Sequence, residues 1–351
     1  MHFTELDTPA LCVDLTTLDR NICNLQSACD ELGIDLRVHT KTHKTPAIAH
    51  RQIEAGAIGI VSQKLGEAEA MAEAGVENIL IPYNLVGAPK LRRLTDLLSR
   101  FPTLTLTVAA DSATTVKGIS VAAEAAGCTV PLIVEMDIGS HRCGVQSPAA
   151  ALELAQLIDR IPGTHFAGVM TYPSNERVRP FLDEVRNLME GAGLELEMIS
   201  GGGTGSEQIS KSLGCTETRI GSYAWEGMTR VGKRDDLHPD RCPLRLVVTV
   251  VSTSVPDQVI VDAGQKAFAS YPPTPYGYCL EHPEIFIKSM SVEHGHVDTT
   301  ESGHRFLVGE ILSFIPLHGG MTTNLYDRLF ILDSTGEVIG DWPIAGRGRT
   351  Q

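Results

Sequence analysis

Leu36-Arg37-Val38-His39-Thr40-Lys41-Thr42-His43-Lys44 reads as a strand running out into a turn, and Thr45-Pro46 then opens a helix-like stretch. Side chains alternate along a strand, so Arg37, His39 and Lys41 share one face, and Val38, Thr40 and Thr42 the other. Three basic groups on one face repel each other, a cost that suits an anion or cofactor site better than a structural strand. A lysine crowded by cations and partly desolvated loses basicity and gains nucleophilicity toward carbonyls. The competing reading is a solvated basic strand end.

Working outward, the same strand-then-helix unit recurs. Strand-like runs are Ile34–Thr40, Ala57–Ser62, Asn78–Pro82, Leu104–Ala110, Val130–Asp137, His165–Thr171, Glu195–Ser200 and Thr216–Gly221. Helical segments fall at 45–55, 64–75, 87–100, 112–126, 147–161, 178–192 and 205–213. A further helix, 17–32, precedes them, with Leu18, Ile22, Leu25 and Cys29 at helical spacing. Eight strands alternating with helices predict an α/β fold, a (β/α)8 TIM-type barrel over residues 16–240; an open doubly wound sheet usually has fewer strands. After residue 240 the pattern changes. Residues 244–262 are rich in valine, and Glu284–Val292, His304–Leu307, Glu310–Ile315 and Leu329–Leu332 are strand-like, with Gly, Pro and Asn between them. This predicts a C-terminal β domain over 241–351, joined by the N-terminal strand 8–15. Gly346 to Gln351 reads as a loose tail.

The chain has 351 residues, is 42% hydrophobic and 21% charged, and carries a formal charge of −14. That length buries a large core. The acidic balance argues against nucleic acid as a partner. No apolar run reaches membrane-spanning length, and residues 1–10 lack the pattern of a signal peptide. The eight cysteines form no C-x-x-C pair and read as buried reduced thiols of a cytoplasmic protein.

In a barrel of this type function gathers at the C-terminal ends of the strands, and phosphate commonly binds after strands seven and eight. Lys41 ends the first strand. The seventh ends in Ser200-Gly201-Gly202-Gly203-Thr204-Gly205-Ser206 and the eighth in Gly221-Ser222-Tyr223. Glycines let backbone N–H groups converge on an anion. A phosphorylated carbonyl cofactor held by an amine suits these parts, which points to pyridoxal 5'-phosphate (PLP) linked to Lys41. Arg142, after the fifth strand, is placed to hold the cofactor's phenolate, against the plainer reading of a surface arginine. Tyr172 follows the sixth strand at the same rim. His294 and His296 would share a strand face, but no third metal ligand accompanies them.

The chain resembles the D-threonine aldolase and D-serine dehydratase-like family, fold-type III PLP enzymes with an alanine racemase-like N-terminal barrel and a C-terminal β domain. The resemblance runs through Thr8-Pro9-Ala10-Leu11-Cys12-Val13-Asp14, Glu67-Ala68-Glu69, Leu85-Val86-Gly87, Asp137 through Gly144, Ser200 through Gly205, Gly221-Ser222-Tyr223, Val261-Asp262-Ala263-Gly264 and Glu293-His294-Gly295. Arg37 to Lys44 is similar to the family's R-P-H-x-K-T-H-K, with Val38 in place of proline. The resemblance implies that Lys41, not Lys44, carries the cofactor. It also places Arg142 at the phenolate, Tyr172 on the pyridine side, and Gly202, Gly203, Thr204, Gly221, Ser222 and Tyr223 at the phosphate. One departure concerns the family's divalent metal, held by His-x-Cys or His-x-Asp. Here His318-Gly319-Gly320 keeps the histidine and has glycine at the second ligand position. His318 would then act directly as a base, or a metal would use another ligand such as Asp298, or the substrate would differ.

The function implied is a PLP-dependent lyase on a D-configured β-hydroxy-α-amino acid. Aldol cleavage to glycine and an aldehyde leads; dehydration to a keto acid and ammonia is the alternative. An amino-acid racemase would need a second base, with Tyr271, Tyr276, Tyr278 and Tyr326 available, and a non-catalytic PLP carrier would not need the β domain. The expected partners are a small amino-acid substrate and, by resemblance, a second copy of the chain in a homodimer.

Overall fold

The computed structural model describes residues 1–227, 238–270 and 274–351. They fall into two compact units that interleave along the chain. One comprises Leu25–Lys41, Ile48–Gly221 and Arg349–Gln351; the other comprises Met1–Asn24, Thr42–Ala47 and Ser222–Gly348.

The first unit holds a closed eight-stranded parallel barrel. Its strands are β2 (Asp35–His39), β3 (Gly59–Val61), β4 (Asn78–Ile81), β5 (Thr105–Ala110), β6 (Val130–Met136), β7 (Thr164–Thr171), β8 (Met198–Gly202) and β9 (Glu217–Ile220). Helix α1 (Leu15–Leu32) precedes the barrel. Between its strands lie α2 (Pro46–Glu54), α3 (Leu65–Glu73), α4 (Ala88–Arg100), α5 (Ala113–Ala126), α6 (Pro148–Arg160), α7 (Val178–Gly191) and α8 (Glu207–Ser212). The ring closes because β9 pairs in parallel with β2, Asp35 opposite Glu217 and Val38 opposite Ile220. The strands read as near-continuous apolar runs because a parallel sheet is covered on both faces. Val61, Leu80, Ala109, Ile133, Ala167 and Met170 make one buried cluster, each large aliphatic side chain worth about 1.5–3 kcal/mol of burial. The helices start and stop where their caps dictate. Ser112 Oγ accepts from Thr115 N–H at the start of α5 and Ser147 Oγ from Ala150 N–H at the start of α6, while Gly127 ends α5 at φ 70°.

The second unit is built on a nine-stranded sheet. Its strands are β1 (Ala10–Asp14), β10 (Leu244–Ser252), β11 (Gln258–Val261), β12 (Gly277–Cys279), β13 (Phe286–Met290), β14 (Gly295–Asp298), β15 (Ile311–Pro316), β16 (Arg328–Leu332) and β17 (Val338–Pro343). The order is β11-β14-β13-β12-β15-β10-β1-β16-β17, and β11 also pairs with β10, so six strands form a ring. The N-terminal strand β1 lies between β10, antiparallel, and β16, parallel.

Two sequence expectations need correction. His304–Leu307 is coil, not strand; Leu307 N–H turns onto the Glu310 carboxylate at 2.8 Å. The valine-rich 244–262 divides into two strands, β10 and β11. The last residues are not a loose tail, because Gly66 N–H donates to Gln351 O at 2.9 Å. All eight cysteines are free thiols; five are buried, two half-buried, and Cys23 is exposed. Burial pushes the Cys29 thiol up to about 11. Among the described residues no helix is long and apolar enough to cross a membrane.

Candidate active site

Lys41 does not continue the strand. β2 ends at His39, and Thr40–Thr42 is a 3-10 turn that lifts Lys41 off the barrel's edge. Arg37 is therefore not part of a mutually repelling basic face. It lies inside the barrel, 3% exposed, with its Nε 2.8 Å from Glu217 Oε2 and its Nη1 2.7 Å from Asn78 Oδ1. His39 Nε2 meets Gln63 Oε1 at 3.0 Å. The cation beside Lys41 comes from elsewhere in the chain. Water reaches the Lys41 side chain, but protein atoms crowd it on the other sides. That desolvation is the largest cause holding its amine below the usual lysine range; Arg142 lowers it further, Glu67 opposes, and Arg219 adds a smaller depression. Lys44, the other lysine of the motif, is buried, with Nζ bonded to Asn324 Oδ1 at 2.9 Å.

Arg142 is positioned by a loop folded around one carboxylate. Asp137 Oδ1 accepts from Gly139 N–H, Ser140 N–H and His141 N–H at 2.9–3.1 Å. Although burial opposes it, bonds from Gln146, His141, Ser140 and Gly139 hold that carboxyl below its ordinary range. The loop closes at Gly144, φ 113°, where a Cβ would lie 2.4 Å from Asp137 N. Arg142 Nη2 then reaches Glu135 Oε1 at 3.0 Å, and its guanidinium lies 5.0 Å from the Tyr172 ring centroid. Gln63, Pro82, Tyr83, Asn84, Glu135, Arg142 and Cys143 line a cavity of about 340 Å³.

The glycine turn after β8 is shaped by packing. A Cβ on Gly201 would lie 2.7 Å from Ser174 Oγ, 2.8 Å from Ser210 Oγ and 2.9 Å from Cys215 Sγ. Gly203, at φ 133°, adopts a backbone that side chains disfavour. The amides of Gly202 and Gly203 are engaged within the protein, donating to Ser174 Oγ at 2.8 Å and Arg219 O at 3.1 Å. These two residues therefore bend the turn rather than aim their own N–H groups outward. Thr204 and Gly205 lie at its apex. Ser222 and Tyr223 fall in a 3-10 turn, Ser222–Ala224, directly after Gly221.

Sequence reading missed Arg219 and Glu135. Arg219 is buried in β9, donating from Nη2 to Thr171 O at 2.7 Å and from Nη1 to Ser200 Oγ. Ser200 Oγ in turn donates to Glu217. The available signal was Glu217 and Arg219 alternating in a four-residue strand whose other members are Thr218 and Ile220. Arg142 and Arg219 act on Lys41 against Glu67, and Glu217 and Glu135 act on Arg219. With an amine of lowered basicity and a turn from which packing excludes side chains, this donor set fits an anionic, phosphorylated carbonyl cofactor.

The family's divalent metal does not fit. His318 caps the short helix Gly319–Thr323, its Nδ1 accepting from Met321 N–H at 3.1 Å, and Gly320 supplies no ligand. Asp298 is taken by Lys288 at 3.3 Å and Thr300 N–H at 3.0 Å, and it joins no ligating group with His318 among the described residues. His296 Nε2 pairs with Ser291 Oγ at 3.0 Å, not with a metal partner. Of the tyrosines considered as second bases, Tyr271 lies outside the described residues. Burial pushes the Tyr326 phenol far up, making it a poor proton exchanger at neutral pH.

Residues 13–227 match the family described as alanine racemase, N-terminal domain, and residues 243–332 match that described as putative serine dehydratase domain. The chain is 33% identical over 362 residues to a D-threonine aldolase of an Arthrobacter species, covering 98% of this chain and 93% of that one. It is 31% identical over 373 residues to a 3-hydroxy-D-aspartate aldolase of Paracoccus denitrificans (strain Pd 1222), covering 99% and 94%. The crystal structure of a D-threonine aldolase from Filomicrobium marinum superposes with a TM-score of 0.90 at 29% identity, covering 99% and 98%. By sequence over nearly its whole length and by fold, this chain belongs to the D-threonine aldolase and D-serine dehydratase-like family of fold-type III PLP enzymes.

Proposed function

We propose that the chain is a PLP-dependent lyase that cleaves the Cα–Cβ bond of a D-configured β-hydroxy-α-amino acid, giving glycine and an aldehyde. The observation that carries this reading is Lys41, an amine of lowered basicity at the C-terminal edge of a closed barrel, beside Arg142. The bound cofactor supplies an electron sink for the carbanion left when the bond breaks. The chain's own residues do the rest. Lys41 would hold the cofactor at its carbonyl carbon, and its amine would take up or return a proton. Arg142, steadied by Glu135 and 5.0 Å from the Tyr172 ring centroid, would hold the phenolate. Thr204, with the turn bent by Gly202 and Gly203, and Gly221, Ser222 and Tyr223 receive the phosphate. The D-threonine and 3-hydroxy-D-aspartate aldolases matched above support this substrate class.

From the family resemblance, His318 is proposed to act on the substrate's β-hydroxyl. Its Nδ1 accepts a hydrogen bond, so the neutral ring carries its proton on Nε2 and donates there. An Nε2 donor suits departure of the hydroxyl as water, and this favours dehydration to a keto acid and ammonia as the second reading. As a base toward the hydroxyl, His318 would first have to pass that proton on. The enzyme is further proposed to act as a cytoplasmic homodimer, on its eight free thiols and its family.

Incubating the PLP-loaded protein with D-threonine, D-serine and D-3-hydroxyaspartate, with and without chelator, tests both readings. Glycine plus aldehyde supports aldol cleavage; keto acid plus ammonia supports dehydration. Borohydride reduction followed by peptide mapping should tag Lys41. An untagged Lys41 and no product from any of the three would sink the proposal.

A further inference from the structure

The coil 299–310 and the end of β12 bring together a group that the active site does not use. The β12–β15 register pairs Cys279 with Phe314; continued along the two chains it sets His282 opposite residue 311, next to Glu310. His304 folds over from the coil between β14 and β15. Its ring stacks on His282 with centroids 4.5 Å apart and planes at 29°, and its Nε2 is 2.8 Å from Glu310 Oε1. One ligating nitrogen from each imidazole and one Glu310 oxygen all lie within 4.8 Å of one another, the one such grouping among the described residues.

We propose that His282, His304 and Glu310 form a binding site for a divalent transition-metal ion of the zinc class. Two neutral imidazoles and one carboxylate are the donor set such an ion takes, whereas calcium and magnesium need oxygen ligands throughout. Two of the three ligands are held by partners of their own. Glu310 Oε2 accepts from Leu307 N–H at 2.8 Å, leaving Oε1 toward His304. His282 Nδ1 lies 3.6 Å from Glu284 Oε1, and Glu284 is anchored by Ser302 Oγ at 2.6 Å. A carboxylate behind a ligating histidine fixes the ring and raises its basicity toward a metal. Phe306, 7% exposed, sets its ring edge-on to both imidazoles at 5.2 and 4.7 Å, walling one side. His304 is exposed, so the remaining coordination position of a bound ion would be open to solvent.

The site is separate from the family's metal position. Glu310 and His318 stand at opposite ends of β15, roughly 20 Å apart at about 3.3 Å per strand residue. An ion here would staple the coil 299–310 to the end of β12 and would not touch the β-hydroxyl of a substrate.

The test uses full-length protein without a histidine tag, stripped by chelator, then titrated with Zn²⁺ by calorimetry and with Co²⁺ by visible absorption. One equivalent should bind, and the unfolding temperature should rise. His304→Ala and Glu310→Gln should abolish binding, Glu284→Gln should weaken it about 10–100-fold, and His318→Ala should leave it intact. His304 is exposed and Glu310→Gln keeps the side chain's shape, so loss of binding in both is not loss of fold. No binding by the wild-type protein, binding unchanged in His304→Ala and Glu310→Gln, or binding lost in His318→Ala would each overturn the proposal.

Discussion

The Arg142 guanidinium exerts the largest charge effect on the Lys41 amine, although 101 positions separate them in sequence. Arg142 is held for this by Glu135 at 3.0 Å. Desolvation and Arg142 both favour the neutral amine, so Lys41 of the cofactor-free protein should react with an acylating reagent at a pH where ordinary lysines are still protonated. Arg142→Met removes the cation, and the Lys41 labelling midpoint should move upward toward the lysine reference value of about 10.4. Labelling quantified by peptide mass spectrometry across pH reads this directly; an unmoved midpoint would mean desolvation acts alone.

The same depression has a stability consequence with a definite sign. Lys41 has a lower pKa folded than unfolded, so between those two values the unfolded chain binds more protons and folding is favoured as pH rises. At neutral pH the folded state bears the cost of a crowded ammonium. Lys41→Met should therefore raise the unfolding temperature of the cofactor-free protein at pH 7, with the difference shrinking toward alkaline pH. Turnover should fall by at least about 10³-fold, since the amine that holds the cofactor is gone. Calorimetric unfolding at several pH values checks the first part, and product assays the second.

Glu217 separates two buried arginines. Its Oε2 takes Arg37 Nε at 2.8 Å, and its Oε1 takes Ser200 Oγ, to which Arg219 also donates. The Arg37 and Glu217 side chains are 4% and 2% exposed. Removing one partner of such a pair leaves an uncompensated buried charge, at a cost of about 3–5 kcal/mol. Glu217→Ala should lose that much in denaturant unfolding, whereas Glu293→Ala, which breaks a largely exposed pair with Lys266, should change stability by under about 1 kcal/mol.

The barrel was legible because each parallel strand is covered on both faces and reads as a short apolar run between helical patterns. All eight of its strands lie within or close to the expected runs. The β domain was less so. β12 is three residues, Gly277–Cys279, too short to show alternation, and β17 carries Gly340 and Pro343. His304–Leu307 alternated like a strand, but a local carboxylate, Glu310, outcompeted any neighbouring strand for its amide. At the site, Lys41 and Arg142 were readable as residue types at strand ends. The company they keep was not. Glu217 neutralises Arg37 from 180 positions away, and no local pattern announces a partner at that separation.

Gly201 tests the phosphate turn without altering a charge. Its Cβ would collide with Ser174 Oγ, Ser210 Oγ and Cys215 Sγ, all within 2.9 Å, and Ser174 Oγ is the acceptor that holds Gly202 N–H. Gly201→Ala should push Ser174 aside, loosen the turn and weaken PLP binding by about tenfold or more, which corresponds to ~1.4 kcal/mol. Gly205→Ala, with nothing within 4 Å of the added Cβ but φ 71°, should cost about 1 kcal/mol of backbone strain and less cofactor affinity. Equilibrium dialysis of PLP against both variants ranks the two effects.

Gly319 and Gly320 differ in why they are glycine. A Cβ at Gly319 would lie 2.9 Å from Trp225 Cδ1 and 3.1 Å from Leu244 Cδ2, so packing forbids a side chain there. At Gly320 the nearest atoms would be Thr42 O at 3.4 Å, Thr42 Cα at 3.5 Å and His318 Cε1 at 3.6 Å, ordinary contacts, and its φ is not positive. Nothing in the fold demands glycine at 320. Gly320→Ala should stabilise the protein by about 0.5–1 kcal/mol, because alanine costs less backbone entropy in a helix. Gly320→Asp places a carboxylate near the His318 imidazole, two residues away, in the first turn of a helix that favours negative charge. That pair is the ligand set the chain lacks. The Asp variant should acquire a divalent ion that Gly320→Ala does not bind, and its lyase activity should become sensitive to chelator while the wild-type activity does not. Metal analysis of both proteins in a His304→Ala background, which removes the separate β-domain site, reads the gain cleanly. An Asp variant that stays metal-free would mean that the second ligand alone does not restore the site.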